Sequence, residues 1–395
     1  MSAPAAAPEG VWAQVIGQPA VVAELRGAVS NPASMTHAWL FTGPPGSGRS
    51  VAARAFAAAL QCPAGGDGTC HECRTVLAGT HADVQVIVPD GLSIGAKEAR
   101  ELVRVAGRAP SGGRWQVIVV EDADRMTEHA SNAVLKMIEE PPPRTVVMLC
   151  APSLHPDDVP VTIRSRCRVV ALRTPPVDSV AAVLIDRDGV DPALAAWSAA
   201  ASGGHVGRAR RLARDEDARL ARKAVLDVPL SLVSLSACLD AAGDLVAAAK
   251  EETDEATAGL DAPETEALKA SLGVGARGPG VVAASRGSAG QLKDLEQRQK
   301  SRATRLGRDS FDRALVDLAG LYRDALVLDS AGGDPPMLMH PDRRADAEEL
   351  ARRIGAEGAL RRIDAILACR LAIEQNVKPL IALEALTVAL RLPAA

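Results

Sequence analysis

The chain has 395 residues, of which 47% are hydrophobic and 24% charged, enough to bury a sizeable core and to form about two or three domains. Its formal net charge of -4 excludes a protein that coats nucleic acid by bulk electrostatics and leaves room only for a local basic stripe. No apolar run approaches the ~20 residues of a membrane helix, and residues 1–10 lack the basic region and apolar stretch of a signal peptide, so a soluble, cytoplasmic protein without a membrane partner is expected.

Residues 1–10 read as a flexible tail. From 11 to 173, short β-rich runs alternate with helical patterns, the mark of a parallel sheet covered by helices. Strands are expected at 39–42, 84–88, 115–120, 145–150 and 168–172, and helices at 48–61, 96–106 and 128–140. Beyond Pro175 and Pro176 the strands stop, and 174–216 reads as a small helical domain. The remainder, 217–395, is expected to be helical, with apolar residues spaced for one buried face at 309–328 and 345–392. Its middle, about 251–300, mixes acidic residues, glycines and serines, including the glycine-rich 273–280, and is expected to be a mobile insertion with little apolar surface to bury.

Between the first strand and the first long helix lie Gly43, Gly46, Gly48, Arg49 and Ser50, spaced as a phosphate-binding loop. Backbone N–H groups and the helix dipole favour phosphate there. The seventh position of such a loop is normally a lysine, a compact charge that reaches the β- and γ-phosphates; Arg49 is planar and not equivalent. Ser50 keeps the hydroxyl suited to magnesium. A strand-end Asp-Glu pair normally completes the site, and here the order is Glu121 then Asp122, which makes each carboxylate the wrong length for its job. A misplacement near 1 Å costs on the order of a hundredfold in rate. The residues thus suit ATP and magnesium imperfectly, and hydrolysis less than binding.

Four segments, 37–44, 132–142, 160–167 and 376–386, resemble those of bacterial clamp-loader AAA+ subunits. The damaged ATP site resembles the delta-prime branch of that family, since the motor subunits carry the lysine and the Asp-Glu pair intact. The resemblance implies an AAA+ P-loop domain with a parallel sheet, a helical lid and a C-terminal all-helical collar. It implies assembly with gamma/tau motor subunits and a delta subunit into a hetero-pentamer that places a sliding clamp on primer-template DNA, as part of a DNA polymerase holoenzyme. It gives the triplet Ser165, Arg166 and Cys167 a role: Arg166 enters the ATP site of the adjacent motor subunit, while Ser165 and Cys167 hold the loop. Arg164 and Arg168 flank it and compete for that assignment. Arg208 falls where the family's lid places a nucleotide-sensing arginine, although Arg210 and Arg211 make a plain basic face an equal reading. An active gamma/tau-like motor of the same family is the alternative, and an unrelated AAA+ remodelling factor a third.

Cys62, Cys70 and Cys73 follow the phosphate-loop helix, and the pair Cys70 and Cys73 has the bite of a structural zinc site. Family members carry a fourth cysteine three residues before the pair, where this chain has Asp67. Asp67 or His71 is then the fourth zinc ligand, and free thiols without metal are the alternative. Lys97, Arg100, Arg104 and Arg108 follow one another at steps of three, four and four along one helix face, a stripe able to track DNA phosphates. Glu98 and Glu101 on the same helix leave a solvated charged face as the other reading. Near the C-terminus, Ile363, Leu367, Leu371, Leu380, Leu383, Leu386 and Leu390 recur at helical spacing, shared between a bundle core and a collar interface.

Overall fold

The computed structural model describes residues 9–272, 281–330 and 338–393. They fall into two compact units that divide between Ala213 and Arg214. The first begins with a 3-10 turn, Gly10–Gln14, and continues through α1 (Pro19–Ser30), β1 (Ala38–Thr42), α2 (Arg49–Gln61), α3 (His71–Leu77) and β2 (Val84–Ile87). Next come α4 (Ala96–Ala106), β3 (Gln116–Val120), α5 (Glu128–Glu139), β4 (Thr145–Ala151), the single turn α6 (Val161–Arg164) and β5 (Arg168–Ala171). Three further helices, α7 (Val177–Asp186), α8 (Pro192–Ala201) and α9 (Val206–Arg214), follow.

The five strands form one parallel sheet in the order β2-β3-β4-β1-β5. Every residue of β1, β3 and β4 is buried, as expected of central parallel strands covered on both faces, which read as unbroken apolar runs. Alternate side chains serve opposite faces. Trp39, Phe41, Val117, Val119, Met148 and Cys150 pack with α1 and α2, while Leu40, Ile118, Val120, Val147 and Leu149 pack with α4 and α5. In α2, Ala52, Ala53, Ala55, Ala57, Ala58 and Ala59 are wholly buried, so small side chains let this helix lie close to the sheet. Phe56 fills the remaining space edge-on to Trp39, with ring centroids 4.9 Å apart. Among α7–α9, Val180, Leu184, Ala195, Ala199 and Ala209 make a separate small core.

The second unit is helical: α10 (Glu216–Ser231), α11 (Leu235–Ser271), α12 (Val281–Ser330), α13 (Arg344–Glu374) and α14 (Pro379–Leu390). Gly355, at φ 61 and ψ 176, interrupts α13. Asn376 at φ 67 ends it, letting the Val377 N–H reach back to the Ala372 carbonyl at 3.0 Å, a left-handed helix stop. Leu383, Leu386 and Leu390 are buried in the core of this unit, whereas Leu367, Leu371 and Leu380 stay exposed.

The irregular segment expected at about 251–300 is corrected where it is described: α11 runs through 271 and α12 begins at 281, while 273–280 lies outside the described residues. The two helices run antiparallel. Gln299 donates to Thr265 Oγ1 (3.2 Å), Arg302 to Asp261 (2.5 Å) and Arg313 to Glu252 (2.7 Å). Arg302 also binds Glu264, which lies below the usual carboxylate range chiefly because of that bond. Polar pairs between helices stabilise what low apolar content did not announce.

Candidate functional site

The phosphate loop occupies the turn between β1 and α2. Gly43, Gly46 and Gly48 have φ of 154, 84 and 89, in or near the range open to glycine. A Cβ on Gly43 would sit 2.5 Å from the Leu172 carbonyl oxygen, and one on Gly46 2.7 Å from His205 Cβ. Ser47 is buried, and its hydroxyl has no hydrogen-bond partner among the described residues. The glycine cradle therefore fits a phosphate. Arg49, the first residue of α2, turns back and donates from Nη1 to the Gly43 carbonyl, within the loop that a lysine would span. Ser50 stands beside it at the helix start, half-buried.

The carboxylate pair follows β3, at the same end of the sheet. Glu121 accepts from Arg54 Nε at 2.8 Å and is mostly buried. Asp122 has φ 51 and leads into the 3-10 turn Ala123–Arg125. Burial raises the Asp124 carboxyl, and the charge of Asp122 adds to this. The residues fit a phosphate cradle but not the full apparatus for magnesium-assisted hydrolysis: the lysine is replaced and the carboxylates stand in reverse order. Arg208 belongs to α9, one turn after His205, to whose Nδ1 its backbone N–H donates at 3.3 Å. Since His205 lies against Gly46, α9 begins beside the phosphate loop. Arg210 is instead committed to Asp188 at 2.7 Å.

Ser165 and Arg166 occupy the other end of the sheet. The register pairs Trp39 with Arg168 and Thr42 with Ala171, so Arg166 stands before the strand starts and Gly43 after the strand ends. The paired stretch alone, three steps at about 3.3 Å per residue, separates them by about 10 Å along the strand direction. Arg166 pairs with Glu139 at 2.9 Å and donates to the Thr162 carbonyl (3.0 Å) and Ser165 Oγ (3.3 Å). Ser165 in turn donates to Thr162 O at 3.1 Å. Of the competing arginines, Arg164 donates to the Leu154 carbonyl at 3.0 Å. Arg168 binds Glu24 at 2.8 Å and lies 5.0 Å over the Trp39 ring, which fastens β5 to α1 and β1. Cys167 is half-buried, and burial pushes its thiol up to about 12.

The turn carrying Thr162 and Ile163 also walls a cavity of about 310 Å³ lined by Asp124, Glu128, Ser131, Asn132, Asp157 and Asp158 among others. Its carboxylates oppose a bare phosphate.

At the far end of α2, the ligand atoms of Cys62, Asp67, Cys70 and Cys73 all lie within 4.8 Å of one another. Three sulfurs and a carboxylate oxygen at this spacing suit a tetrahedral metal such as zinc. His71 is exposed and not part of the cluster. Asp67 accepts from the backbone N–H groups of Thr69 (2.8 Å) and Cys70 (2.9 Å), and these bonds, that of Cys70 foremost, bring its carboxyl down to about 2. For Cys62, burial opposes ionisation, but backbone hydrogen bonds from Asp67, Gly66 and Ala64 together bring the thiol below its ordinary value. Burial keeps Cys73 well above it. The loop rests on the N-terminal turn: Trp12 Nε1 donates to the Gly65 carbonyl (3.1 Å) and Val11 N to that of Gly66 (3.1 Å).

Lys97, Arg100, Arg104 and Arg108 are all exposed, on and just beyond α4, opposite its buried Ala99, Leu102 and Ala106. Arg104 is paired with Glu101 through Nε at 2.8 Å, so three of the four stand clear of that ion pair. Sequence reading missed Arg54, Glu139 and His205, whose roles depend on neighbours distant in the chain.

Residues 17–176 match the family model described as DNA polymerase III, delta subunit. The gamma/tau subunit of DNA polymerase III from Mycobacterium tuberculosis is 33% identical over 178 residues, covering 44% of this chain and 30% of that protein. The delta' subunit from Bacillus subtilis is 30% identical over 195 residues, covering 49% of this chain and 58% of that one. The chain thus spans less than two thirds of either relative. A solved structure, a gamma subunit-related protein of DNA polymerase III from Thermotoga maritima, has a TM-score of 0.38 and 13% identity, with 93% of this chain and 97% of that one covered.

Proposed function

We propose that this chain, which belongs to the clamp-loader family of DNA polymerase III subunits, is the delta-prime-like, largely rigid member of the loader, which donates Arg166 to the ATP site of a neighbouring motor subunit. The observation that carries this is the placement of Arg166 at the strand-start end of the sheet, with the paired length of β5, about 10 Å, between it and its own phosphate loop. Six or seven ångströms of side chain do not span that gap, to order of magnitude. An arginine that acts on a phosphoryl group from there acts on one held by another chain. Such a group stabilises charge developing on the transferred phosphoryl, at about 10³ to 10⁵ in rate. Ser165 and Glu139 position it, the first through Thr162 and the second by the ion pair.

On this reading, residues 11–173 are a P-loop domain, 174–216 its lid, and 217–395 a collar that joins gamma/tau and delta subunits in a hetero-pentamer, with Leu367, Leu371 and Leu380 offering apolar surface. Gly43, Gly46, Gly48, Arg49 and Ser50 cradle phosphate, and Arg208 senses its presence from the lid. Hydrolysis is not assigned to Glu121 and Asp122. Zinc bound by Cys62, Asp67, Cys70 and Cys73 would brace the loop that seats Trp12. Lys97, Arg100, Arg104 and Arg108 contact the backbone of primer-template DNA while the assembly places the sliding clamp, without reading sequence.

The similarity to gamma/tau subunits supports a second reading, an active motor. Steady-state ATP hydrolysis by the purified chain separates the two: the stator reading requires none, and turnover that depends on Asp122 would replace it with the motor.

A further inference from the structure

We infer that Cys62 and Cys70 are a peroxide-sensitive pair, a modification site whose disulfide dismantles the metal cluster. Their sulfurs are in contact at 3.6 Å, against about 2.05 Å in a disulfide, so an approach of about 1.5 Å joins them. The two residues differ in mobility and access. Cys62 is buried as the C-cap of α2. Cys70 is half-exposed at the N-cap of α3, on the short loop turned by Asp67. Cys73 is buried within α3. Of the three sulfurs, Cys70 is the one an oxidant meets from solvent, and it accepts the Cys73 backbone N–H at 3.4 Å.

The chemistry needs a two-electron oxidant of the peroxide class. The Cys70 thiolate attacks hydrogen peroxide; its S–O bond forms as the O–O bond breaks, and hydroxide leaves. The Cys62 thiolate then attacks Cys70 Sγ. The S–S bond forms, the S–O bond breaks, and a second hydroxide leaves. Two thiolates are oxidised to one disulfide and one peroxide is reduced to two hydroxides. Cys73 and Asp67 alone remain as donors, too few to retain a tetrahedral metal. Asp67 in place of a fourth thiolate means that no spare sulfur substitutes for the lost pair. The remaining cysteines do not compete: Cys150, Cys238 and Cys369 are buried, and burial holds the Cys167 thiol up at about 12.

The test treats the full chain, reduced and loaded with zinc, with a small excess of hydrogen peroxide, and maps disulfides by mass spectrometry of unreduced peptides. A chromogenic zinc chelator follows the metal in parallel. The expected result is an intramolecular Cys62–Cys70 link two hydrogens lighter than the dithiol, release of about one zinc per chain, and reversal by dithiothreitol with zinc. Cys73→Ser retains the link; Cys62→Ser abolishes it and leaves Cys70 to over-oxidise. A Cys70–Cys73 link, links only between chains, or no disulfide at all overturns the inference. Metal-free chain gives the same mapping, so the outcome does not depend on zinc being present at purification.

Discussion

Arg166 and Glu139 form a 2.9 Å ion pair at the strand-start end of the sheet, with both side chains about two-fifths exposed at 42% and 41%. A pair this open contributes at most about 1 kcal/mol to folding. Its effect is on where the guanidinium waits. Glu139→Gln is therefore expected to leave the urea midpoint of the chain nearly unchanged while altering ATP turnover of the reconstituted assembly severalfold. A large loss of stability with unchanged turnover would make the pair a structural tie instead.

The cysteine cluster makes a prediction about its fourth ligand. Asp67→Asn keeps an oxygen that accepts from Thr69 and Cys70 but removes the charge, and is expected to weaken zinc binding by about 10-fold or more in chelator competition. Asp67→Cys is expected to strengthen it, and His71→Ala to leave it unaltered. Loss of binding in His71→Ala with retention in Asp67→Asn would reverse the assignment.

The stripe on α4 is tested by salt. Charge reversal at Lys97, Arg100 and Arg108 is expected to reduce the slope of log affinity against log salt for primer-template DNA by about 0.9 per lost contact, measured on the whole assembly. A slope that does not change would mean a solvated face.

Much of this was legible in the sequence, for particular reasons. Central strands such as Val117 to Val120 are buried on both faces, so their composition alone declares them. The motif glycines are required by φ values and close approaches that only a tight loop has. The helices over 251–271 and 281–300 were not legible, because Arg302 finds Asp261 and Glu264, and Arg313 finds Glu252, across the pairing of two helices. Those residues read as a solvated, irregular stretch until the partner helix is in place. Glu121 reads as a carboxylate of the wrong length for hydrolysis, but that Arg54 is its partner depends on the packing of α2 against β3. Asp67 stands three residues before the cysteine pair in the sequence, but only the turn it makes shows why it, and not His71, lies among the sulfurs.

In the second unit His340 is buried, with Nδ1 2.9 Å from Arg222 Nη2 and Nε2 3.0 Å from the Asp317 carbonyl. Arginine only donates and a carbonyl only accepts, so the ring is held neutral with its proton on Nε2. Burial, foremost, and the charge of Arg222 lower its pKa below the ordinary value, against the pull of Asp317 and Asp324. The unfolded chain then binds this proton more readily than the folded one. The stabilisation is complete above the unfolded value near 6.5 and is lost as pH falls below it, by at most about 1.4 kcal/mol per pH unit. Asp342, which faces the same arginine, is lowered and adds its own loss at lower pH. Urea unfolding between pH 7 and 5 is expected to show a falling midpoint, flatter in His340→Gln; equal slopes would remove His340 from the account.

The most direct test of the central claim is ATP turnover in the assembly of this chain with its motor and delta partners, with Arg166→Ala against wild type. The account predicts loss of hydrolysis at the adjoining motor site, on the order of 10³ or more at that site, with assembly intact and no turnover by this chain alone. Undiminished hydrolysis in the Arg166→Ala assembly would contradict it.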